Sequence, residues 1–160
     1  MTATRIERGF TLIETMIVVA MIAILAMLAA PSFTTAIANR RVDSTAQELQ
    51  SILLFARSEA VYKRTDSSLT ASGQTWSAKT AAQVTREAVL PAVVTVTPTA
   101  GSASGVEFNA AGVPKLLLPA GTGDYRLTVS AANATRAQCV SVSRTGLVRQ
   151  QRLDSGASCS

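Results

Sequence analysis

Seven residues near the amino end, Arg8-Gly9-Phe10-Thr11-Leu12-Ile13-Glu14, combine chemistries that seldom meet. A base, a glycine and an aromatic residue stand directly before an apolar run from Met16 to Ala30. Glu14 lies within the apolar region, where an ionisable side chain at bilayer depth costs about 2.5–3.5 kcal/mol on insertion scales and so calls for a partner. Gly9 offers something else. An endopeptidase threads its scissile bond in extended form, and a residue without a β-carbon does not obstruct that passage.

Elsewhere the chain is poor in catalytic groups. It has no His among its 160 residues, which excludes His-based triads and His metal sites. Two cysteines, Cys139 and Cys159, are too few for a tetrahedral zinc site built from Cys and His. The acids are scattered, the Ser and Thr residues lack a base partner, and no Gly-rich loop precedes a Lys-bearing helix. No enzyme activity, metal or cofactor is expected. Arg136, Arg144, Arg149 and Arg152 form the densest basic stretch, opposed only by Asp154. So few Arg would make a weak, salt-sensitive phosphate patch, or else a solvated strand edge whose charges discourage aggregation. Trp76 and Tyr125 could stack on bases or fill a core.

The positioning elements follow from periodicity. Phe10 to Ala30 is long enough, at about 31 Å as a helix, to cross the hydrocarbon of a bilayer. Pro31 then removes one helical hydrogen bond and predicts a kink. Val42, Ala46, Leu49, Leu53, Ala56 and Ala60 recur at spacings of three and four, with polar residues on the other faces. This predicts an amphipathic helix over 31–64 whose stripe packs on a domain. The turn-prone Thr65-Asp66-Ser67-Ser68 should follow it. Strands are expected at Gln74–Ala78, Ala92–Thr97, Gly105–Asn109, Val113–Leu118, Tyr125–Ser130, Ala137–Ser143 and Leu147–Arg152. Hairpin loops are expected at Asn109–Gly112 and Arg144–Gly146, and surface loops at Thr97–Ser104 and Pro119–Gly123. With 48% apolar and 16% charged residues the chain is not disordered. Its formal net charge is +5; losing residues 1–9 removes Arg5, Arg8 and Glu7 and leaves +4. The positive-inside rule puts Arg5 and Arg8 in the cytoplasm and the residues after Pro31 across the membrane.

The amino-terminal string resembles the class III signal of type IV pilins and of type II secretion pseudopilins. The whole layout resembles the GspH/FimT branch of minor pilins and pseudopilins. That resemblance rests on residues 8–31, on the Ala-Arg-Ser-Glu-Ala of the helix and on Cys139–Arg149. It implies an α+β fold, with a long N-terminal helix (a transmembrane half, then an amphipathic half) packed on an antiparallel two-sheet β domain. One helix cannot cover two sheets, so one sheet should face it while the other closes the core. The implied parts are a leader at 1–9, an assembly helix at 10–30, an amphipathic helix at 31–64 and a periplasmic β domain at 65–160. A prepilin peptidase would cut between Gly9 and Phe10, and the new amine of Phe10 would be methylated. Glu14 would pair with that amine, either in the neighbouring subunit or, at i, i+4, in its own chain. The implied partners are other pilins, an inner-membrane assembly platform and, before extraction, membrane lipid. In an oxidising periplasm Cys139 and Cys159 are either a disulfide tying down the C-terminal tail or two free thiols. Some relatives bind DNA through a Gly-Arg-x-Arg pattern; here Gly146-Leu147-Val148-Arg149 keeps only the glycine and the second Arg. A plain membrane-anchored periplasmic domain is the remaining alternative.

Overall fold

The structure is a computed structural model describing residues 9–99, 102, 105–116 and 124–159. Arg5, Arg8 and the expected loop at Pro119–Gly123 lie outside the described residues, as does part of Thr97–Ser104. The chain divides into two compact units, Met1–Thr34 and Thr35–Ser160.

The first unit contains the start of helix α1, Leu12–Lys63. The helix begins at Leu12 rather than at Phe10, because Thr11 acts as its cap. The Thr11 Oγ1 accepts the Glu14 backbone N–H at 3.3 Å, satisfying one of the donors left free in a first turn. Glu14 thus sits where a negative charge also complements the positive end of the helix dipole. Pro31 lies inside α1 and does not end it. It has no N–H to offer the Met27 carbonyl, and its own carbonyl accepts the Thr34 hydroxyl at 2.9 Å. An 18-residue window of α1 reaches a mean hydropathy of 2.6, and none of it is buried in the chain.

In the second unit α1 behaves as its pattern predicts. Val42, Ala46, Leu49, Leu53, Ala56 and Ala60 are all buried, joined by Ala38, Thr45 and Ile52. The helix stops where Arg64 turns left-handed (φ 50°) and the Thr65 N–H reaches back to the Ala60 carbonyl at 3.2 Å, a Schellman closure.

Among the described residues nine strands follow: β1 Ser67–Ser72, β2 Thr75–Thr80, β3 Gln83–Val89, β4 Val94–Pro98, β5 Val106–Phe108, β6 Pro114–Leu116, β7 Tyr125–Ala131, β8 Arg136–Val142 and β9 Val148–Asp154. They form a five-stranded sheet, β3-β2-β1-β5-β6, and a four-stranded sheet, β4-β7-β8-β9. All pairings are antiparallel.

Two strands depart from expectation. Ser67 and Ser68 belong to β1, not to a turn: the Ser67 side chain is buried, donates to the Lys79 carbonyl and accepts from the Thr80 hydroxyl. Pairing with β2 and β5 on both sides overrides a weak local preference. Strand β3 was not expected at all. Its hairpin turn is Ala81-Ala82, held at φ 50° and 66° without any glycine or asparagine to signal it.

One apolar core joins α1 to both sheets, with Leu69, Trp76, Phe108, Tyr125, Leu127, Val140 and Val142 among its members. The helix also makes polar contacts with both sheets, rather than facing one of them. Asp43 accepts from Arg136 and Gln138 of β8, and Asn39 bonds with Thr135. Further along, Glu48 meets Arg86 of β3, whose guanidinium also lies 5.6 Å from the Phe55 ring centre. The helix therefore contacts both sheets.

Candidate functional site

Gly9 and Phe10 precede the helix and are exposed. A β-carbon built on Gly9 would meet nothing within 4 Å, so the fold itself places no demand for glycine there. Phe10 is 82% exposed. The i, i+4 relation assumed between Phe10 and Glu14 is not a helical one, since Phe10 lies outside α1. Among the described residues Glu14 has no ion-pair partner.

Cys139 and Cys159 form a disulfide with a Cα–Cα distance of 5.5 Å. It holds the tail across the face of the four-stranded sheet that points away from α1. The Cys159 N–H donates to the Thr128 hydroxyl at 2.9 Å, and the Thr99 hydroxyl donates to the Cys159 carbonyl at 3.1 Å. The Ser155 hydroxyl donates to the Ala134 carbonyl. Ala137, Cys139 and Thr128 alternate with core residues and should face solvent, yet all three are buried. The tail reaches two of them, through the disulfide to Cys139 and the Cys159 N–H on Thr128.

Strand alternation divides the basic residues of β9. Strand β9 is a sheet edge, and Arg149 and Arg152 are three residues apart on it, hence on opposite faces. Arg149 pairs in register with Ser141 and shares a shallow concavity with Arg126, Ser143 and Gln151. Arg152 pairs with Gln138 on the helix side. Arg136 is taken up by Asp43. Arg144 lies in the loop between β8 and β9. Trp76 and Tyr125, 4% and 1% exposed, are core residues and not stacking platforms.

Gly146 has a structural duty that the sequence does not reveal. It adopts φ +80°, and a β-carbon there would lie 2.3 Å from the Gly112 carbonyl oxygen and 2.9 Å from Arg57 Nε. The Arg57 Nε–H donates to that same Gly112 oxygen at 3.1 Å. Two hairpin loops, Asn109–Val113 of one sheet and Ser143–Leu147 of the other, close with the same pattern of backbone bonds. Both carry a left-handed glycine fourth in the loop, and they meet against Arg57 of α1.

A capped helix whose apolar start is unburied in the chain, a Gly-Phe junction just before it and a two-sheet domain docked on the helix's later turns define a pilin-like subunit. Residues 4–30 match the prokaryotic N-terminal methylation motif. Residues 45–146 match the model described as type II transport protein GspH, and the chain belongs to that family. A comparison with curated protein sequences gives no match. Among solved structures, the type IV minor pilin FimU of Pseudomonas aeruginosa is similar at 22% identity and a TM-score of 0.59, covering 70% of this chain and 89% of that one. The minor pseudopilin EpsH of the Vibrio cholerae type 2 secretion system is similar at 14% identity and a TM-score of 0.56, covering 73% and 99%. At these identities the likeness is one of fold.

Proposed function

We propose that this chain is a minor pilin or pseudopilin, a structural and non-catalytic subunit of a type IV pilus or a type II secretion pseudopilus. The observation that carries the reading is the apolar start of α1, wholly unburied within the chain and lying inside the match to the methylation motif. Such a surface is hidden either in lipid or among the helices of other subunits. On this reading the chain is held in the inner membrane with residues 35–160 in the periplasm. Prepilin peptidase cuts between Gly9 and Phe10, and Phe10 is methylated. The assembly platform then draws the subunit into a filament, near the tip, where it helps to start assembly.

The role of Glu14 follows from charge. Cleavage turns the Phe10 nitrogen into a cation in an apolar setting, and Glu14 is an anion in the same setting. Each is costly alone, and pairing between neighbouring subunits relieves both. Family membership and the absence of an ion-pair partner for Glu14 among the described residues support this. The test is to delete the gene, then weigh sheared pili and assay exoprotein release. Loss of either product, restored by the wild type but not by a processed Glu14→Ala chain, is the expected outcome. Full restoration by Glu14→Ala would overturn the assigned role.

A further inference from the structure

We propose that the free edge of β9 docks an extended segment of another protein, added as a further strand and carrying two acids three residues apart. Edge strands present unpaired backbone groups, and most are blunted. Among the described residues the two sheets have four edges, β3, β6, β4 and β9. Three of them carry a structural device. The pairing of β3 with β2 shifts register between Ala78 and Lys79 and skips Thr85. Strand β6 has three residues and begins with Pro114. Strand β4 has five and ends with Pro98. Strand β9 has seven residues, keeps an unbroken register with β8 and contains no proline or glycine. Charge is all that guards it, and charge excludes only partners that do not match it.

The backbone of that edge points outward at alternate residues. The Ser143 N–H donates to the Leu147 carbonyl at 3.0 Å, which makes these two a hydrogen-bonded pair. Bonded and non-bonded pairs alternate along an antiparallel ladder, so Ser141–Arg149 and Cys139–Gln151 are bonded pairs as well. Val148, Gln150 and Arg152 fall between them, and their N–H and C=O groups point away from β8. No strand lies beyond β9 among the described residues to receive them. An added strand takes them up, and such main-chain bonds supply the affinity of strand addition. Charge selects the occupant. Arg149 and Arg152 are exposed, and neither has an ion-pair partner among the described residues. Their side chains stand on opposite faces, so the matching acids sit three residues apart on the partner, one on each face. A phosphodiester chain would match the charges but brings no N–H for the carbonyls between them.

The ¹⁵N-labelled full chain, in nonionic detergent at low salt, is titrated with an eight-residue Val/Thr peptide that has glutamates at its third and sixth positions. Versions with glutamine or lysine at those positions, and a fully N-methylated glutamate version, run beside it. The expected result is saturable binding with an alternating signature. Amide exchange should slow at Val148, Gln150 and Arg152 and stay unchanged at Arg149 and Gln151, which already donate to β8. The glutamate peptide should bind about tenfold more tightly than the glutamine one, about threefold from each cross-strand charge pair. The double variant Arg149→Glu, Arg152→Glu should prefer the lysine peptide. Gln150→Pro removes an outward N–H, leaves the β8 ladder whole and should weaken every version. The N-methylated peptide makes the same test on unaltered protein and should not bind. No saturable binding would overturn the proposal. So would equal binding of the N-methylated or glutamine peptide, or slowed exchange without the alternation.

Discussion

Replacing Gly146 by Ala tests whether the two hairpin loops are locked together as described. The cost has two sources. A residue with a β-carbon at φ +80° gives up about 1–2 kcal/mol. The new methyl would also stand 2.3 Å from the Gly112 carbonyl oxygen, a backbone atom held in place by Arg57. Forcing an extra methyl into a packed site adds about 1–3 kcal/mol. The total expected loss is therefore about 3 kcal/mol, or roughly 10 °C in Tm for a domain of this size. Gly73→Ala is the internal control. It has φ +60° but nothing within 4 Å of its β-carbon, so it should lose only the conformational part, about 1 kcal/mol. Both variants and the wild type would be unfolded in urea as full chains in detergent, followed by the fluorescence of Trp76, which is buried when folded. If Gly146→Ala costs no more than Gly73→Ala, the contact between the loops contributes nothing and the argument from close approach is wrong.

Ala82 holds φ +66° in the β2–β3 turn, so Ala82→Gly should raise stability by about 1 kcal/mol in the same urea assay. Breaking the Cys139–Cys159 bond by Cys159→Ser frees a 20-residue separation and should cost about 3 kcal/mol, with faster proteolysis of the tail as a second readout. Burial raises the Tyr125 phenol above its ordinary pKa. A raised folded pKa means stability that is intact below the unfolded value and lost as pH climbs past it. Wild type should therefore weaken between about pH 10 and 11.5 more steeply than Tyr125→Phe, measured side by side. Gly9→Val should keep the chain at its uncut length when co-expressed with prepilin peptidase, read as gel mobility. Mature-size product would remove the cleavage reading.

Much of this architecture was legible because it rests on period and on strong punctuation. The α1 stripe shows at three- and four-residue spacing. Both hairpin loops, at Asn109–Gly112 and Arg144–Gly146, show by their glycines, and these have positive φ. What was illegible had no local signal. Strand β3 turns on two alanines, and β1 is a serine-rich segment made into a strand by its neighbours on both sides. At the candidate sites, type and spacing pointed to Gly9, Phe10, Glu14 and the two cysteines. They did not show that strand alternation divides Arg149 from Arg152, nor that Gly146 is required by Arg57 and Gly112, 89 and 34 positions before it in sequence. Such contacts are tertiary, and only the fold brings them together.

The two parts of α1 also explain why function here is assembly. In Thr35–Ser160 the helix buries one stripe and the domain keeps its whole apolar core, its disulfide and its two-sheet contacts. Before Thr35 the large apolar side chains from Phe10 to Phe33 are half to four-fifths exposed. Burying each would be worth about 1.5–3 kcal/mol, so leaving them all in water is not a stable end state. Lipid satisfies these side chains but not Glu14, whose charge is penalised there. A bundle of like helices satisfies the side chains equally well and, on the role proposed for Glu14, also brings the amine of a neighbouring Phe10 within reach of it. On that proposal, the single acid is what tips the balance from membrane to filament. The prediction for Glu14→Ala follows: the variant should anchor at least as well as the wild type and assemble worse.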